Sequence, residues 1–113
     1  LSNALLDTPW PKVTKGKKQF EALLGHAFTT EQLFEFLYDD RRAADAELPE
    51  TGIGLERERA LSSMFIKTDN YGSRCSTVIL VDRQNRVTFS ERVYNTIDFT
   101  FSLRTFEFSV SGR

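Results

Sequence analysis

Apolar positions recur at helical spacing over the first half of this chain and at strand spacing over its last third. Thr8-Pro9 reads as an N-cap followed by proline at a first helical position, and Trp10, Val13, Phe20, Leu23 and Leu24 form one stripe of a helix that ends at Gly25. Thr29 and Gln32 have the spacing of a capping box, and Leu33, Phe34, Leu37 and Tyr38 give a second helix, from about 30 to 39, its apolar face. Residues 41–54 are charged and then broken by Pro49, Gly52 and Gly54, which predicts a loop with at most a helical turn. A further turn of helix is expected over 55–61.

The later pattern is one of strands. Residues 63–68 read as a first strand, Asp69-Asn70-Tyr71-Gly72 as a tight turn, and 77–81 as a continuous β-branched and aliphatic run, covered on both faces and central in its sheet. Val87, Phe89 and Glu91 alternate with Thr88, Ser90 and Arg92 in a more exposed partner. The hairpin turns at Asp82-Arg83-Gln84-Asn85, where Asn85 suits a left-handed position. Over 103–110, Phe106, Phe108 and Val110 share one face against Thr105, Glu107 and Ser109. The predicted class is α+β: two helices packed on a four-stranded antiparallel meander, with the helical layer in 1–61 and the sheet in 62–113. Val78 and Leu80 on one side, and Ile79 and Val81 on the other, both ask for cover that two helices cannot supply. The second sheet face therefore predicts a partner outside this chain.

Composition narrows the class. A chain of 113 residues, 40% hydrophobic, makes one compact domain or half-domain that buries roughly two-thirds of its unfolded surface. A net charge of −1 supplies no field for nucleic acid, and no apolar run approaches a membrane span, which predicts a soluble protein without a transmembrane segment. The single cysteine, Cys75, has no internal disulfide partner, favouring a reducing, cytoplasmic setting. The chain begins at Leu1 and not at methionine, so a fragment with an upstream segment is expected.

Among candidate chemical groups, Arg74 stands out: a cation entering an apolar strand behind Tyr71-Gly72-Ser73 needs a partner or a ligand. Cys75 beside it reads as a small residue starting a buried strand, and His26 as a solvated histidine after a helix end. Lys12, Lys15, Lys17 and Lys18 read as a solvated helix face or an attractor of phosphate or carboxylate. No metal constellation, phosphate loop or Ser-His-Asp set is visible, and no cofactor is required by the pattern.

The strings LSNALLDTPWPKV (1–13), LP-TGI (48–53), YGSRCSTVILVDRQNRVTFSER (71–92) and RTFEF (104–108) resemble the C-terminal half of the NRDE family, also called the transport and Golgi organisation protein 2 family. The resemblance implies half of an N-terminal-nucleophile (Ntn) hydrolase-like αββα sandwich, with the missing N-terminal half as partner. It also implies binding or trafficking of haem or of acyl-type lipid metabolites, in the cytoplasm or, in eukaryotic relatives, at mitochondria or the Golgi. Haem would then be a transported ligand, with Tyr71, Tyr94, His26 and Met64 as side chains able to face it. The alternative is an amidohydrolase whose cysteine nucleophile lies in the missing half. By likeness to bile-salt and penicillin V amidases, Asn3 in Leu-Ser-Asn and Arg74 in Gly-Ser-Arg take supporting catalytic roles, as oxyanion donor and as orienting cation. Asn3, Tyr71, Ser73 and Arg74 are the expected ligand-binding set. A turn cap at Asn3 and a structural ion pair at Arg74 are the competing readings.

Overall fold

A computed structural model describes residues 5–111. Helices α1 (Pro11–Leu24), α2 (Thr30–Leu37) and α3 (Leu55–Ala60), with a 3₁₀ turn at Asp45–Glu47, precede strands β1 (Cys75–Val81), β2 (Arg86–Tyr94) and β3 (Phe101–Ser109). The class is α+β. The chain gathers into two compact units, Leu1–Gly72 and Ser73–Arg113, the first helical and the second an antiparallel sheet.

In the first unit, α1 starts two residues later than the Thr8-Pro9 signal predicts. Pro11 holds Trp10 in an extended conformation (φ −61°, ψ 147°), because a residue before proline is driven out of the α region, so Pro11 and not Pro9 takes the first helical turn. The segment before it is a turn, with the Thr8 N–H donating to Leu5 O and the Trp10 N–H to Thr8 O. The capping box of α2 forms as expected: the Gln32 N–H donates to Thr29 Oγ1 at 3.2 Å and the Thr29 N–H to Gln32 Oε1 at 2.9 Å. Removing it by Thr29→Ala is expected to lower stability by about 1 kcal/mol, read as a lower denaturant midpoint at unchanged slope; an unmoved midpoint would show that the cap contributes nothing.

The core of this unit is Leu33 and Phe34 of α2 with Phe65. The Phe65 ring lies 4.6 Å from that of Tyr38. This packing overturns the strand expected over 63–68. The Phe65 N–H donates to Asp39 O at the end of α2 and Ser63 Oγ donates to Phe65 O, so the backbone is committed to the helix terminus and to itself. Only one isolated bridge, Lys67 to Gly72, remains of the predicted pairing, around the expected turn. Among the described residues the sheet accordingly has three strands and not four.

In the second unit the order is β1-β2-β3, which makes β2 the central strand and β1 an edge. The expectation of a central 77–81 strand covered on both faces is corrected here. Ser76 and Val78 are buried, whereas Ile79 and Val81 are 58% and 62% exposed. An unbroken apolar run reports that both faces seek cover; it does not report which strands pair. The turn is as read: Asn85 has φ 62°, and Asp82 Oδ1 accepts from the N–H groups of Gln84 and Arg86. On the buried face the Arg92 guanidinium lies 4.2 Å from the Phe101 ring centroid, and Ser90 Oγ meets Thr105 Oγ1 at 3.2 Å. On the opposite face the register aligns Val81, Val87 and Phe108 in one row and Ile79, Phe89 and Phe106 in the next. Phe106 and Phe108 are 57% and 52% exposed, so this face is a broad apolar surface.

Candidate functional site

Lys12, the second residue of α1, is the centre of the helical unit's concave surface, since three cavities meet there. Its ammonium donates to Leu61 O at 3.1 Å and lies 5.9 Å from the Trp10 ring centroid. Burial pushes its pKa below the usual lysine value, because desolvation disfavours the charged form.

The first cavity, of about 270 Å³, is walled by Trp10, Ile53, Leu61, Ile66 and Tyr71. The 48–53 string shapes one side of it: Gly52 and Gly54 have φ 86° and 93°, which only glycine adopts readily. Between them and α3, the buried Glu58 accepts from the Thr51 N–H at 2.9 Å and from Thr51 Oγ1 at 2.5 Å. Residues from 1–13, 48–53 and 71–92 therefore converge on this cavity, and Tyr71 of the expected ligand-binding set is on its wall.

The second cavity, about 200 Å³, is cationic, lined by Lys12, Lys15, Arg41 and Arg42 with Asp39 and Glu47. Asp39 organises it. Arg41 Nε and Nη2 grip its carboxylate at 2.9 and 2.7 Å, the Arg41 N–H donates at 3.0 Å, Gln19 Nε2 at 3.2 Å, and Lys15 Nζ lies 3.3 Å away. The Arg41 guanidinium, seconded by its own N–H, Gln19 and Lys15, holds the Asp39 carboxyl well below the usual carboxylate range. The third cavity, about 440 Å³, is an apolar groove between α1 and α2 lined by Val13, Gly16, Phe20, Phe36, Leu37 and Met64.

The expectation of a solvated α1 lysine face holds in part: Lys17, paired with the exposed Asp7, and Lys18 are exposed, whereas Lys12 is half-buried and Lys15 is paired with Asp39. Asn3 lies outside the described residues. Ser73 and Arg74 open the sheet unit. The Arg74 carbonyl accepts from the Tyr94 N–H at 2.7 Å, and its side chain is exposed with no carboxylate paired to it among the described residues. Cys75 is also exposed, a correction to its reading as the head of a buried strand, because β1 is an edge strand and its odd-numbered positions face outward. His26 is solvent-exposed just after α1, as expected. Glu58 and Thr51 were not distinguishable in the sequence as site residues, and Lys12 is one of four α1 lysines that read as a solvated face or an anion attractor. The available signal was the glycine pair at 52 and 54, which marks a turn that needs positive φ. Among the described residues no group of three His, Cys, Asp or Glu could hold a metal ion, and no helix is long and apolar enough to cross a membrane.

Helices with this cleft, followed by an antiparallel meander, define an α+β chain carrying the 1–13, 48–53 and 71–92 strings. Residues 1–96 match the Transport and Golgi organisation 2 family, and the chain belongs to that family. It is 37% identical over 122 residues to the human Transport and Golgi organization protein 2 homolog, covering 99% of this chain and 44% of the relative. To the Bos taurus homolog it is 41% identical over 105 residues, covering 81% of this chain and 37% of the relative. The Drosophila melanogaster Transport and Golgi organization protein 2 is 33% identical over 107 residues, or 85% and 36%. The chain spans less than half the length of these relatives.

Proposed function

We propose that this chain is the C-terminal part of an intracellular carrier that binds haem or an acyl-type lipid metabolite, completed by an N-terminal half in an Ntn-like αββα sandwich. The observation that carries this reading is the meeting of three cavities at Lys12, which sets apolar walls beside a cationic pocket, as an amphipathic anion requires. Membership of a family named for transport supports it. The test is titration of the full-length protein with haem, followed by absorbance, and with fatty carboxylates, followed by calorimetry. Saturable binding of either is the expected result; binding of neither would refute the proposal.

One observation favours a second reading, an Ntn-type amidohydrolase with Asn3 and Arg74 in supporting roles. The Arg74 guanidinium is exposed at the mouth of β1, with its backbone fixed to Tyr94 and no described carboxylate paired to it. On either reading it is a fixed cation offered to a carboxylate, carbonyl or propionate, with Ser73 and Tyr71 leading up to it in the chain. Arg74→Ala is expected to weaken ligand binding, or turnover of an amide substrate, roughly tenfold or more, for one charge-assisted hydrogen bond of about 1.5–3 kcal/mol. Unchanged affinity and turnover at unchanged thermal midpoint would remove Arg74 from the site.

A further inference from the structure

The apolar groove and the cationic cavity share Lys12 and Met64, so they form one continuous amphipathic depression. Its apolar end is built at helical spacing: Val13, Gly16 and Phe20 of α1 face Phe36 and Leu37 of α2. Phe20 and Phe36 stack there, ring centroids 5.7 Å apart. Leu5 and Leu6 stand on the lip with 85% and 82% of their surface exposed, apolar side chains with no cover of their own. Gly16 sets the width. A Cβ at this position would come 2.9 Å from Met64 Sδ, so any side chain there displaces Met64 and narrows the groove.

The other end is selective for charge. Lys12, Lys15, Arg41 and Arg42 against Asp39 and Glu47 leave two positive charges in excess. Asp39 already takes up Arg41 and Lys15 with a single carboxylate. Arg42 is exposed beside it, and Lys12 lines both cavities, with its half-buried ammonium donating to Leu61 O. That residue of positive charge suits an anionic head group at the end of an apolar tail.

Resting on the proposal that this protein carries an acyl-type metabolite, we infer that the α1–α2 groove holds the chain of a long fatty carboxylate, with Lys12 and Arg42 receiving its carboxylate and Gly16 admitting its tail. Three probes test the two halves separately in the full-length protein: palmitate, hexadecanol and hexadecyl phosphate, each titrated by calorimetry. Gly16→Leu is expected to weaken palmitate and hexadecanol alike, by at least tenfold. Arg42→Glu, at a solvent-exposed position where folding is not at stake, is expected to weaken palmitate at least tenfold and leave hexadecanol unchanged. Thermal midpoints separate a blocked groove from a failed fold, and if Gly16→Leu does not fold, the Arg42→Glu contrast alone decides. Palmitate binding that neither variant alters would overturn this site and leave the carrier reading standing, as would binding of haem alone. Preference for hexadecyl phosphate over palmitate would overturn the carboxylate assignment, and binding of none of the probes nor of haem would overturn both proposals.

Discussion

Isolated as these 113 residues, the chain is expected to self-associate through its sheet. The cause is the outward face of β1-β2-β3, where Ile79, Val81, Phe106 and Phe108 are each more than half exposed and the register sets them side by side. Phe89, partly exposed, continues one row across the central strand, and Val87, buried at 5% exposure, fills the middle of the other, so these side chains adjoin and are not a scatter of single residues. Leaving such a surface in water costs about 25 cal/mol for each Å² of apolar area, which favours stacking a second sheet on it. Sedimentation at micromolar concentration should show dimers or larger species, and a hydrophobic dye should bind strongly. The paired substitutions Ile79→Lys and Phe106→Lys should move the isolated chain toward monomer, because each places a cation on the stacking surface. In the full-length protein the same pair should destabilise the fold, since the proposed N-terminal half would cover that face. A monomeric wild-type chain that binds no dye would refute the expectation and remove the physical reason for a second layer.

That face was legible in the sequence, although its geometry was not. The run 77–81 has β-branched or aliphatic side chains on both sides, which identifies two apolar faces whatever the pairing. Centrality is a property of pairing, and it fell to β2 because β3 is long enough to match all nine of its residues from Arg86 to Tyr94. The capping box at Thr29 and the left-handed Asn85 were recoverable because both are decided by neighbours within four residues. The false strand at 63–68 shows the converse. Its alternation is real, with Ser63 and Phe65 buried, but the backbone hydrogen bond that decides its form comes from Asp39, more than twenty positions away. The candidate site divides in the same way. Tyr71 and Arg74 attract notice from sequence, whereas Lys12 hides among four lysines of one helix and becomes distinctive only when Leu61 and Trp10 are brought to it.

Asp39→Asn is expected to be among the most damaging single substitutions in the helical unit and to change how stability depends on acid. The Asp39 side chain is nearly buried and is held by both nitrogens of the Arg41 fork, the Arg41 N–H, Gln19 and Lys15, while its own carbonyl receives the Phe65 N–H. The polar hub and the aromatic core are therefore joined at one residue. Hydrogen bonds to a charged group contribute about 1.5–3 kcal/mol each when shielded. The Arg41 side chain is 66% exposed, so solvent screens its share, and a total loss of about 2 kcal/mol is expected. The pH dependence has a definite sign. The folded carboxyl is held below its ordinary value near 3.9, so the folded state binds this proton more weakly than the unfolded state does. Its contribution is complete above about pH 4 and is lost as pH falls below that, through the depressed folded value. Urea midpoints measured between pH 7 and pH 2 should fall more steeply below pH 4 for the wild-type chain than for Asp39→Asn, which has no proton to gain at this site. Parallel profiles for the two proteins would show that the carboxylate is not the group that ties the end of α2 to Arg41 and Lys15.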